Sequence, residues 1–242
     1  MRASKTFFAE SPLLFVSVLG CGLLSALSAG CDGNGGGSGG SGGGSGGTGG
    51  ESVCTEYVTA PAQNPVTVRI VNQTANDLYI GPEAAGGCGQ VDAFSVSDEG
   101  GNPVGWRLQA CSFTCEELQK GACACAADCA LPYVWRIAPA GALEVPWNGT
   151  IFTPETMPDE CYDASCGAGQ TCSVEREPSG ALTLSATAWA EVTGSCGASC
   201  TCTPDATGTC TIGSGDVAVA GTSATIQAQV DTVAGTIELI FQ

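Results

Sequence analysis

Sixteen cysteines and no histidine in 242 residues constrain this chain more than any other feature. Cys21 and Cys31 belong to an apolar N-terminal stretch, and 14 cysteines follow it. They fall into groups: Cys54 alone; Cys88 ahead of Cys111, Cys115, Cys123, Cys125 and Cys129; the trio Cys161, Cys166 and Cys172; and the quartet Cys196, Cys200, Cys202 and Cys210. An even set at this density reads as a disulfide framework made in an oxidising compartment, because cytosolic reductants would keep the thiols free. The absence of histidine removes the commonest general base and the commonest transition-metal ligand together.

Parity restricts the pairing. The five-membered cluster must send at least one bridge outside itself, with Cys88 as its natural partner, and the trio must do the same, with Cys54 as a candidate. Cys123 and Cys125 should bridge to different places, since extended i, i+2 side chains point the same way but lie too far apart to bond. Further connectivity stays open. The bridges are expected to staple two long loops to themselves, around residues 109–131 and 194–213, each contributing about 2–4 kcal/mol by restricting the unfolded chain.

Other cysteine chemistry fits less well. Cys196, Cys200, Cys202 and Cys210 could be drawn as a zinc site, but the usual two-residue spacing is missing. A redox pair would want that spacing and nearby bases as well. Asp98–Asn102 and Asp159–Asp163 could offer oxygens to calcium, yet neither follows the twelve-residue calcium-hand loop, so solvated turns are expected. No Gly-x-Ser-x-Gly element occurs, and no triad can be assembled without histidine. The expectation is a non-enzyme with no metal and no cofactor.

Residues 1–31 have the layout of an export signal: Arg2 and Lys5 first, an apolar run from Pro12 to Ala29, then Leu27-Ser28-Ala29-Gly30-Cys31. That ending resembles the lipobox of bacterial lipoproteins. The resemblance implies that residues 1–30 are removed, that Cys31 receives a diacylglycerol thioether, and that its new amino group is acylated. The chain departs from the pattern at Ser28, where an aliphatic residue is usual. Cys21 is a second candidate, but cleavage there would leave Leu23, Leu24 and Leu27 on the mature protein. Residues 33–50 are only Gly, Ser, Thr and Asn, with nothing to bury, so residues 31–50 read as anchor and flexible tether. As a random coil the tether spans roughly 20–25 Å. The expected location is the cell envelope, outside the cytoplasm, at the outer membrane or cell surface.

Removing Arg2, Lys5 and Glu10 with the leader leaves 23 acidic residues against 5 basic ones. Such a field repels nucleic acid and anionic headgroups, so no nucleic-acid partner is expected.

Residues 51–242 carry period-two apolar patterns between Gly, Pro, Asn and Asp. Strands are expected at Val66–Ile70 and Leu78–Ile80, as a hairpin or as neighbours. Others are expected at Ala93–Val96, Val104–Leu108, Tyr133–Ile137, Leu143–Trp147 and Ala181–Val192. Three more follow at Asp216–Ala220, Ala224–Val230 and Thr236–Phe241. One short helix is expected at Thr114–Lys120, capped by Thr114 and stopped by Gly121. The four tryptophans, Trp106, Trp135, Trp147 and Trp189, are expected to pack between sheets. This pattern predicts an all-β, disulfide-rich antiparallel β-sandwich with long cysteine-stapled loops. Arg136–Gly141, Glu144–Gly149 and Gly180–Leu184 resemble strand elements of bacterial immunoglobulin-like sandwiches, which implies that variety of sandwich. The function expected is a surface binding or adhesion module meeting an extracellular protein or glycan through the braced loops. An extracellular protease inhibitor and a purely structural envelope protein are the alternatives.

Overall fold

The computed structural model describes residues 53–58, 65–84, 90–125, 131–195, 200–213, 216–231, 233 and 235–242. The leader, the tether, Cys21, Cys31, Cys88, Cys129 and Cys196 lie outside the described residues. All described residues belong to the second of two units, which spans 48–242. In chain order the elements are β1 (Val66–Asn72), β2 (Leu78–Ile80), β3 (Ser95–Ser97), β4 (Pro103–Val104), α1 (Cys115–Gln119), β5 (Tyr133–Ile137), β6 (Ala142–Trp147), β7 (Ile151–Thr156), β8 (Thr171–Arg176), β9 (Leu182–Gly194), β10 (Thr209–Gly213), β11 (Val217–Val230) and β12 (Thr236–Phe241). The chain is all-β and disulfide-rich, and most strand pairs are antiparallel.

Two sheets share the main core. One has the order β12-β1-β6; the other runs β10-β5-β2-β9-β3-β4, with β11 also paired to β9. Alternation decides which side chains enter. Val66, Val68 and Ile70 of β1 and Ile237, Leu239 and Phe241 of β12 are buried, and they meet Leu182, Leu184, Ala186 and Ala188 of β9 in one cluster. Phe94 joins this core, stacked on Trp106 at 4.2 Å and tilted against Trp147 at 6.1 Å. The arrangement is sandwich-like. Among the described strands, the one parallel pairing joins β1 to β12, with Ile70 beside Leu239. The rest of the domain forms the long crossover that a parallel pair requires.

Two expected neighbours are corrected. β1 and β2 do not pair: β1 lies between β12 and β6, whereas β2 lies between β5 and β9. β5 and β6 also part company, although only four residues separate them, because β5 pairs with β2 and β10. Apolar alternation shows that a strand has a buried face but not which sheet owns it. Both short connections cross from one sheet to the other, and Asn72 ties them together. Its backbone N–H donates to Gly141 O and its carbonyl accepts from Ala140 N. Its side-chain amide donates to Ile137 O and Asn76 O, while Oδ1 accepts from Thr74 N and Oγ1. The residue is fully buried.

Other boundaries shift as well. Asp216–Ala220 and Ala224–Val230 merge into the single strand β11, bent by a register shift between Ala220 and Ser223 where Gly221 takes φ +80°. The extended pattern after Asn102 shrinks to β4, because Trp106 turns back and donates its indole N–H to Phe94 O. Asn72→Ala should remove four hydrogen bonds and leave the buried Ile137 carbonyl without its amide donor. A loss of about 2–4 kcal/mol is expected in urea unfolding under non-reducing conditions, with Asn72→Asp falling between the two.

Candidate functional site

The cysteines build a second, smaller core. Thr114 caps α1 through a reciprocal capping box with Glu117, and Gly121 ends it at φ +80°. That single turn and a half aims Cys115 and Leu118 inward, where they pack with Met157, Cys161, Tyr162, Cys166, Cys172 and Val174. β7 and β8 form an antiparallel hairpin beneath them. Tyr162 fixes the chain between, its hydroxyl accepting from Met157 N and donating to Gln170 O.

Three bridges join separate stretches of chain here: Cys54–Cys161, Cys115–Cys172 and Cys123–Cys166. Cys111–Cys125 closes within the first loop. The expectation that this loop is stapled to itself therefore needs correction. It is stapled chiefly to the trio, and every member of the trio bonds outside its own group. Parity gave a minimum number of outgoing bridges; the shared apolar core of the lobe raises it. Cys123 and Cys125 go to different partners. In the second loop Cys202–Cys210 closes an eight-residue interval, and Cys200 is also disulfide-bonded.

In each acidic turn considered for calcium one aspartate is engaged by its own neighbours. Asp98 accepts from the backbone and side chain of Asn102, and Asp163 from the backbone and hydroxyl of Ser165. Asp205 does the same for Thr207. These hydrogen bonds hold all three carboxyls below the ordinary aspartate value. Among the described residues no group of three or more His, Cys, Asp or Glu side chains is placed to hold a metal.

A second feature lies on the outer face of the larger sheet, where the inward set of β9 alternates with Thr183, Ser185, Thr187 and Trp189. β9 changes neighbour along this stretch: Ser185 pairs with Ser95 of β3, whereas Trp189 pairs with Tyr79 of β2. Between them no described strand covers this edge of β9, and the gap is a cavity of about 150 Å³. Its lining includes Trp189, Thr187, Ser185, Ser95, Asp92 and Gly81. Asp92 is held by an ion pair with Arg107, whose guanidinium also donates to Val91 O. Trp147 is buried in the core and Trp106 and Trp135 are half-buried against it; Trp189, equally half-buried, packs against a smaller cluster of Val134, Ile212, Val217 and Val219 beside this opening. The hydroxyl-bearing alternate positions of Ala181–Val192 were the available signal for this face; attention to the apolar positions passes over it.

The fold and its bridges define a class: a disulfide-stapled all-β domain suited to an oxidising, extracellular compartment. No protein-family model matches the chain, and no curated protein or solved structure matches it either.

Two outcomes test this geometry. Replacing Cys115 and Cys172 together by Ala should lower the local stability of the lobe by about 2–4 kcal/mol, read as faster amide exchange in α1 and β8, while β9 and β11 keep their protection. In an NMR pH titration the carboxyls of Asp98, Asp163 and Asp205 should titrate below exposed reference aspartates. Their folded values lie under the unfolded one, so the turns keep full support above the ordinary aspartate range. That support is lost as pH falls through the depressed values, and the Thr207 amide should report it.

Proposed function

We propose that this protein is a non-catalytic binding module of the cell envelope, anchored by lipid at Cys31 and raised from the membrane by its glycine-rich tether. The observation that carries this reading is the convergence of Cys54–Cys161, Cys115–Cys172 and Cys123–Cys166 on one small lobe. A loop stitched to distant segments has little conformational entropy left to lose when a partner docks. It also resists cleavage outside the cell. The partner is an extracellular protein or glycan met by the braced loops, and the chain's net charge of −17 disfavours polyanions.

Intact mass of the native protein, untreated and after alkylation, tests the delivery half of this reading. The mature chain should begin at Cys31, carry the added mass of acyl chains, and take up no alkylating agent without reduction. Capture from the cell surface tests the other half: the intact protein should retain a partner that the Cys115→Ala, Cys172→Ala variant loses. A cytosolic protein whose thiols titrate freely would end the proposal.

A further inference from the structure

We infer that the outer face of the β3-β9-β11 sheet is a binding site for an uncharged glycan, with one sugar ring seated in the cavity beside Trp189. The inference rests on the binding-module reading above but not on the anchor or the stapled loops.

Register places the side chains of this face in rows. Ser97, Thr183 and Gln229 form one row; Ser95, Ser185 and Gln227 form the next; Thr187 and Thr225 form a third, their hydroxyl oxygens 2.9 Å apart. The fourth row holds Tyr79, Trp189 and Ser223. The first three rows hold no charged residue, in a chain with 24 acidic residues, and the fourth meets one only beyond Tyr79, at Arg136, which is paired with Asp77. Hydroxyls and amides both donate and accept, as sugar hydroxyls do, and they do so without a net charge to select an ion.

The cavity supplies what the rows lack. A pyranose ring has an apolar C–H face and a polar rim, so its sites combine an aromatic plane with convergent hydrogen-bonding groups. Trp189 offers such an aromatic group, and among the described residues nothing hydrogen-bonds its indole N–H or the Ser185 hydroxyl. Asp92, fixed by Arg107, offers an acceptor already oriented for a sugar hydroxyl. Between Ser185 and Trp189 no described strand pairs with this edge of β9, so its backbone polar groups there add to the same gap. The volume of about 150 Å³ suits one ring, and the rows continue from it along β9 for the rest of an oligosaccharide. Because these groups stand on paired strands, they are held in place before the ligand arrives.

The test uses the full-length oxidised protein, with cellotetraose, chitotetraose and maltotetraose as neutral probes and oligogalacturonate as the anionic one. At least one neutral probe should shift the Trp189 indole N–H signal at concentrations up to roughly 10 mM. The double variant Thr187→Val, Ser185→Ala keeps the shape of the face but removes two hydroxyls, and it should bind about tenfold more weakly or worse. Thermal midpoints of variant and parent should agree, which separates lost contacts from lost folding; Trp189→Ala is avoided because Trp189 also packs against Val134 and Val219. The Cys115→Ala, Cys172→Ala variant should bind the sugar like the parent. No shift with any neutral probe, equal response to oligogalacturonate, or binding undiminished in the double variant would overturn the inference. Sugar binding that disappears only with the bridge variant would also overturn it, while leaving the stapled-loop reading intact.

Discussion

Covalent closure over long distances holds the smaller lobe together. Cys54–Cys161, Cys115–Cys172 and Cys123–Cys166 span 107, 57 and 43 residues. Four of the eight buried residues in that core are themselves half-cystines, so the bridges supply much of the apolar content they secure. A cluster this small buries too little surface to offset the backbone entropy of ordering its loops. Chain-entropy arguments assign a loop of about 100 residues near 4.7 kcal/mol, but the three closures overlap in sequence. Once Cys115 meets Cys172, Cys123 and Cys166 lie only about 14 residues apart along the cross-linked chain, rather than 43. Their contributions are therefore not additive, and the innermost closure, Cys123–Cys166, gains least once its neighbour has formed. The same dependence binds the lobe to its compartment, because a reducing environment would remove its core along with its cross-links.

The lobe is attached to the sandwich without a flexible hinge. β6 ends at buried Trp147, whose indole donates to Thr150 O, and Thr150 in turn donates its hydroxyl to Glu175 at the far end of β8. Phe152 N donates to Gly105 O, and Ser173 N to Phe113 O, so both strands of the β7–β8 hairpin bond to the segment that leads into α1. Asn72 performs a comparable task inside the sandwich. It is placed where two connections cross between sheets and has bonds enough for both. A buried amide is stabilising only when every donor and acceptor finds a partner, and here the geometry of two turns is what satisfies it. Position and chain direction are fixed together: moving either turn would strand polar atoms in an apolar core.

These features differ in how far the residues announce them. The buried face of β9 is plain in Leu182, Leu184, Ala186 and Ala188, and Thr114 with Gly121 marks both ends of α1. Sheet membership is not legible in the same way. Pro139-Ala140-Gly141 looks like a hairpin turn because local rules describe how the chain bends, whereas the switch to another sheet is decided by Asn72, distant in sequence. β7, β8 and β10 escape notice for a different reason. Pro154 interrupts the first, and cysteines at 172 and 210 draw the other two into what reads as loop. The pairing of Cys115 with Cys172 depends on a core that forms only after those strands exist. The cavity beside Trp189 arises from a change of neighbour along β9, a property of the whole sheet with no local signature beyond hydroxyls at alternate positions.

Charge and exposed edge are linked in one further respect. Among the described strands β11 pairs only with β9, and from Val217 to Val230 it contains no charged residue and no proline. A strand of that composition with one edge unpaired would normally invite another copy to add to the sheet, and most proteins block this with lysines, prolines or bulges on the edge itself. Here two defences replace edge charges. The register shift at Ala220–Ser223 bends the strand, so that a straight partner could follow only part of it. The net charge of −17 does the rest at longer range, since two copies must approach against their mutual repulsion before any backbone bond can form. That repulsion weakens with added salt, whereas a bulge does not. Keeping the charge elsewhere on the surface lets the neutral face remain free of ions and still keeps neighbouring molecules apart.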